Sequence, residues 1–249
     1  MKRFKRYWAP CARWVVLAAL ACTACGCQAA SHNGLTIPGT FPDPVVAALV
    51  HAAEADDTAK MQALVKQGAD VNAMGKDKIT PLVWVMANRN YAGVEALLKL
   101  GANPNLKGTY GNSPTWLAAG RHDPKMLELM LKYHGDPNII GAGQITALEI
   151  AVRQFDVRNI DILVKHGANI NYANSVGQSA ATWAAALGHF DILAHLLDLG
   201  YSHDLQRLAA GVQGRLVDAA EQPEKDRVIQ MLRARGVQYP VPKRHPPKP

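Results

Sequence analysis

Cysteine is scarce in this chain of 249 residues. There are four, Cys11, Cys22, Cys25 and Cys27, and none follows. A disulfide framework and a thiol nucleophile are thereby excluded from everything beyond residue 27. Acidic residues are missing from the first 42 positions, whereas Lys2, Arg3, Lys5, Arg6 and Arg13 all fall within the first fourteen. Removing those five from the 27 basic residues leaves 22 against 20 acidic ones, so the formal charge of +7 belongs mostly to the N-terminus. The near-neutral remainder lacks the basic footprint of a nucleic-acid binder, and no nucleic-acid partner is expected. Long apolar runs are lacking too. At about 1.5 Å per residue, Val15–Ala24 covers only half of a bilayer core, which argues against a permanent transmembrane helix.

Catalytic signatures are equally sparse. Nine histidines are present, but none has a partner at the His-Glu-x-x-His spacing of a metal site. His166 and His195 fall at helix ends, where histidine suits the negative end of the dipole. Gly141-Ala-Gly143 lacks the third glycine and the preceding strand of a dinucleotide-binding turn. No Gly-x-Ser-x-Gly and no phosphate-cradling Gly-Lys-Ser/Thr sequence occurs. Asp and Glu fall mainly in loops and on second-helix surfaces, as a solvated face. The sequence points to no catalytic residue, no metal and no cofactor.

What is present begins with an N-terminal segment in three parts. A basic stretch, MKRFKRYWAPCARW, is followed by the apolar VVLAALA and then by CTACGC. That order is the plan of a secretory signal over residues 1–27. Small residues before a cysteine resemble the bacterial lipobox. Thr23-Ala24-Cys25 fits best, Ala24-Cys25-Gly26-Cys27 follows, and Ala19-Leu20-Ala21-Cys22 is a third option; none has the leucine usual three residues before the cysteine. The resemblance implies lipidation of Cys25 or Cys27 and sorting to an outer membrane, facing the periplasm. Plain cleavage after Ala24 or Ala30 is the alternative. Residues 28–42 are expected to be a flexible tether, and the proline-rich residues 240–249 an extended tail.

The body repeats. Gly68-Ala-Asp-Val-Asn72, Gly101-Ala-Asn-Pro-Asn105, His134-Gly-Asp-Pro-Asn138 and Gly167-Ala-Asn-Ile-Asn171 start 33 residues apart, and a worn copy follows at Gly200. Leu64-Val65, Leu97-Leu98, Met130-Leu131, Leu163-Val164 and Leu196-Leu197 keep the same interval. So do Thr80, Ser113, Thr146 and Ser179. The hydroxyls suit helix N-caps, with Pro81 and Pro114 at the first helical position. Val94, Leu97 and Leu98, or Ile160, Leu163 and Val164, space one buried helical face. The glycines suit a left-handed C-cap. His134 stands in a glycine's place, and Gly135 is expected to take over the strained conformation.

Two helices and a projecting loop in each 33-residue period resemble the ankyrin-repeat family. Ile79-Thr-Pro-Leu82, Gly188-His-Phe-Asp-Ile192 and Gly68-Ala-Asp-Val-Asn-Ala73 are close to its consensus. The resemblance implies an all-α solenoid of repeats at 43–74, 75–107, 108–140, 141–173 and 174–206, with a diverged cap at 207–239. The family's histidine after Thr-Pro-Leu is replaced by Val83, Trp116, Glu149 and Thr182, so another contact must tie each turn. Trp84, Trp116 and Trp183 are expected to pack between repeats, and His189 to be structural.

The family's binding surface is the concave side, formed by loop tips and first helices. Carried onto this chain, it comprises Lys76, Asp77, Ile79 and Asn88, then Tyr110, Asn112 and Arg121. Ile145, Arg153, Gln154, Val176 and Gln178 complete it. The resemblance thus implies a monomeric, non-catalytic scaffold that binds a protein and is held at the membrane by its lipid. Narrower roles are a periplasmic immunity protein that neutralises a toxic effector such as a lipase, or an accessory to a periplasmic enzyme.

Overall fold

A computed structural model describes residues 35–241. The expected export signal at 1–27, the lipidation site at Cys25 or Cys27, and residues 242–249 of the expected tail lie outside the described residues. Thirteen α-helices occupy the described span: α1 Ile37–Thr40, α2 Pro44–Glu54, α3 Thr58–Lys66, α4 Pro81–Ala87, α5 Tyr91–Lys99, α6 Pro114–Ala119, α7 Pro124–Lys132, α8 Ala147–Arg153, α9 Val157–Lys165, α10 Ala180–Leu187, α11 Phe190–Asp198, α12 Leu205–Gly214 and α13 Gln222–Ala234. From α2 onward they pack in consecutive pairs, and each pair packs on the pairs beside it. The even-numbered helices α2 to α12 stack in one continuous row. No helix among the described residues is long and apolar enough to cross a membrane.

Caps explain where the helices begin. Thr80, Ser113, Thr146 and Ser179 accept hydrogen bonds from the N–H groups of Val83, Trp116, Glu149 and Thr182. A second capping series, which the sequence reading did not include, opens the outer helices at the same interval. Asp57, Asn90, Asp123 and Asp156 accept from the N–H groups of Lys60, Gly93, Met126 and Asn159. Each such cap contributes about 1 kcal/mol. Asp123 and Asp156 are buried, as is Glu149, so the view of the acids as a solvated face is corrected at these three positions.

The missing family histidine is replaced in two ways across the third, fourth and fifth units. Trp116 Nε1 donates to the Ile145 carbonyl at 2.8 Å. Glu149 Oε2 accepts from Thr146 N at 2.7 Å, and Thr182 Oγ1 accepts from Ser179 N at 2.7 Å. Both of the latter close reciprocal capping boxes.

Two further expectations are corrected. His134 itself holds the left-handed conformation, with φ of 67°, and Gly135 does not. Gly135 is needed for space, because a β-carbon there would stand 2.7 Å from Thr115 Oγ1 and 2.8 Å from the Met130 carbonyl. The segment expected as a tether is ordered at its end. Ile37, Thr40 and Phe41 are buried, and the Phe41 ring meets Trp84 edge-on at 5.9 Å. A side chain on Gly75 would collide with the Thr40 carbonyl, so this turn lies directly on the first projecting loop.

Leu97 and Leu163 are both wholly buried. Replacing either with alanine is expected to destabilise the protein by about 2–5 kcal/mol, read as a lower urea midpoint. His134→Gly relieves a β-carbon held at positive φ and should raise stability by a few tenths to about 1 kcal/mol. A fall in its melting temperature would contradict that account.

Candidate partner-binding surface

Between consecutive units the chain runs out into a short hairpin. Gly75 N donates to the Ile79 carbonyl, Gly108 N to Asn112, Gly141 N to Ile145 and Asn174 N to Gln178, each at 2.9 Å. The tips are left-handed: Asp77 and Lys78, Tyr110 and Gly111, Gly143 and Gln144, then Gly177. Positive φ at the tip matches the twist of two paired extended segments. Hairpin also leans on hairpin. A β-carbon at Gly141 would stand 2.6 Å from the Trp116 ring and 2.7 Å from Asn112 Oδ1.

Behind the hairpins, asparagines join one unit to the next. Asn72 Oδ1 accepts from Asn103 N, Asn105 from Asp136 N, Asn138 from Asn169 N and Asn171 from Ser202 N, at 2.6–2.8 Å. The amides of Asn72, Asn105 and Asn138 donate forward to the carbonyls of Gly101, His134 and Gly167. Within each turn Asp70, Asn103, Asp136 and Asn169 accept from the backbone two residues on. The first polar residue of each turn therefore shapes its own loop, and the second binds the neighbouring loop.

On this frame the expected surface residues sort by exposure. Tyr110 is 76% exposed and Val176 61%. Lys76, Asp77, Asn88 and Gln178 are exposed as well. Asn88 is nonetheless tethered, donating to Glu54 Oε1 at 2.7 Å, and the same carboxylate accepts from Trp84 Nε1 at 2.8 Å. Gln178 Oε1 accepts from Asn174 Nδ2. Ile79, Arg121, Ile145, Arg153 and Gln154 are half-buried. Arg153 lies 4.5 Å above the Trp183 ring, which joins α8 to α10. Burial and the neighbouring Arg89 pull the Arg121 pKa down, while Asp123 opposes them.

Asn112 does not belong with these residues. It is 6% exposed, and its Oδ1 accepts from Ala142 N at 2.9 Å, so its side chain is buried and braces the next hairpin. Two residues outside the expected set, Arg207 on α12 and Arg215 directly after it, line a cavity between α10 and α12. The register that runs through the repeats breaks before α12, so periodicity gives no indication of them.

Titratable groups elsewhere form pairs. His122 Nδ1 lies 3.1 Å from Asp156 Oδ2, and His195 Nε2 lies 2.5 Å from Asp161 Oδ1, each pair bridging adjacent units. The His189 ring stacks edge-on against Phe155, with centroids 3.8 Å apart, and burial lowers its pKa. Among the described residues no group of three or more His, Cys, Asp or Glu side chains could hold a metal ion.

Residues 115–207 match the family model for ankyrin repeats, in three copies. Comparison with curated proteins gives no match. The all-helical architecture is that of an ankyrin-repeat solenoid, and ankyrin repeats generally mediate protein–protein binding.

Burial raises the Glu149 carboxyl above the ordinary carboxylate range, against the lowering effects of its bonds to Thr146 and of Arg153. The folded state therefore holds this proton more tightly than the unfolded state. That contribution is favourable near pH 4.5 and is lost as pH rises through the folded pKa. Urea unfolding at pH 4.5 and 7.5 should show wild type gaining on Glu149→Gln at the lower pH. A gap that does not depend on pH would mean that the carboxyl titrates normally.

Proposed function

We propose that this protein is exported and lipid-anchored through Cys25 or Cys27 at an outer membrane, where it binds a protein partner along its concave side. The row of hairpin tips and even-numbered helices supports this reading most directly. Tyr110 and Val176 are strongly exposed at hairpin tips, and Ile145, Arg153 and the Trp183 ring are half-buried on the same series of hairpins and even-numbered helices. Aromatic, aliphatic and arginine side chains clustered on a fixed frame suit protein recognition. The asparagine ladder holds that frame before any partner arrives, which reduces the ordering that binding requires. Export rests on the basic, apolar and small-residue segments of residues 1–27.

Capture of partners from native membranes, followed by mass spectrometry, tests the scaffold role. Tyr110→Ala should weaken partner binding by about tenfold or more, the range of an interface anchor, with an unchanged melting temperature. Loss of stability in parallel with affinity would place the ring in the core. Labelling with a radioactive fatty acid should follow the wild type and disappear in the Cys25→Ser/Cys27→Ser double variant.

A further inference from the structure

The stack ends differently from the way it runs. Fourteen residues separate α9 from α10, but only six separate α11 from α12, so the last unit has no hairpin. Arg207 occupies that place. Its Nη2 donates to the Val176 carbonyl at 2.6 Å, and a side chain on Gly177 would collide with its guanidinium. At the other end of α12, Arg215 Nη2 reaches the Leu187 carbonyl at 3.4 Å, beside Gly188. Lys225 Nζ also approaches here, donating to the Arg215 carbonyl.

Between the two guanidinium groups runs a trough of about 310 Å³. Thr182, Ala185 and Ala186 form its α10 wall, and Leu208, Gly211 and Gly214 its α12 wall. A β-carbon at Gly211 or Gly214 would meet nothing within 4 Å, so the space exists because these side chains are missing. The ion pairs at this end of the stack, among the described residues, are Arg227–Asp198 and Arg227–Glu224. Arg207 and Arg215 take part in neither. Asp204, the acid next to Arg207 in sequence, is occupied as the α12 cap, accepting from Arg207 N.

We propose that this trough binds an extended acidic segment of the protein partner, with one carboxylate at Arg207 and another at Arg215. The proposal rests on the scaffold reading above and names the chemistry of one end of that surface. Charge selects the occupant. The chain's own residues 242–249 carry Lys243, Arg244 and Lys248 and no Asp or Glu, so their side chains do not supply the matching charge. Spacing selects the conformation. Along the axis of α12 the Cα atoms of Arg207 and Arg215, which directly follows its last residue, stand about 12 Å apart, and in an extended strand residues i and i+4 share a face about 13 Å apart. The small side chains of the walls let a peptide backbone lie close, and each guanidinium keeps donors free for a forked pair with a carboxylate.

The test uses the full chain and a fluorescein-labelled peptide, Glu-Ala-Gly-Ala-Glu, in low salt, read by anisotropy. Wild type should bind it and ignore the same peptide with lysines. Added salt should weaken binding. Arg207→Ala should reduce affinity about tenfold, as for a lost charge-assisted bond, with partial recovery in Arg207→Lys. Because Arg207→Ala also removes a contact to Val176, Gly211→Leu is the decisive variant. It fills the trough, and its melting temperature should hold or rise, since glycine inside a helix is unfavourable. Unchanged peptide binding by Gly211→Leu, or equal binding of the lysine peptide, overturns the proposal. So does a wild-type dimer that Gly211→Leu dissolves, which would assign the trough to a second copy. Full partner capture by Gly211→Leu, lost in Tyr110→Ala, would sink the trough and leave the scaffold. Peptide binding with no partner captured would do the reverse.

Discussion

The structure depends on each two-helix unit closing its apolar side only on its neighbours. No unit of this size encloses a core by itself, so stability comes from nearest-neighbour interfaces repeated along the stack. The asparagine ladder is the polar counterpart. Asn72, Asn105, Asn138 and Asn171 each tie one loop to the next, and most do so through both the amide and the carbonyl of the side chain. Helix packing and loop stacking are thereby fixed by the same repeat length. A slip of one unit against its neighbour would break both together.

Both ends of such a stack expose a flank that an interior unit would cover, and the two ends solve this differently. At the start, the turn carrying Ile37 and Phe41 folds onto Trp84 and the Gly75 hairpin. At the end, α12 and α13 replace a regular unit. Without a hairpin of its own, the last unit can send Arg207 back onto the hairpin that precedes α10 and Arg215 onto the C-terminal end of α10. The placement of these two guanidinium groups therefore follows from the way the solenoid is terminated.

Most of the architecture was legible in the sequence because three unrelated features share one register. Glycine turns, paired apolar residues and hydroxyl caps each have a separate physical reason to recur. The second capping series is equally periodic but is not legible by itself, because Asp57, Asp123 and Asp156 look like ordinary surface acids until the helix start is located. Asn112 was misplaced for another reason. A hairpin position predicts exposure, but the side-chain direction depends on the adjacent hairpin, whose backbone at Ala142 claims this amide oxygen. Tyr110 and Val176 protrude as their places at hairpin tips suggest. The turn at 37–41 has no period to reveal it, and the arginines of α12 stand where the period has already failed.

Nearly every bond that joins one hairpin to the next ends on main-chain atoms. The tip side chains of Tyr110 and Val176 supply none of the hydrogen bonds of that ladder. Substitution at these tips can therefore proceed without disturbing the frame, and mutational drift there is limited by what is recognised more than by folding. Such a molecule can acquire a new specificity by rewriting four short loops while its scaffold stays constant.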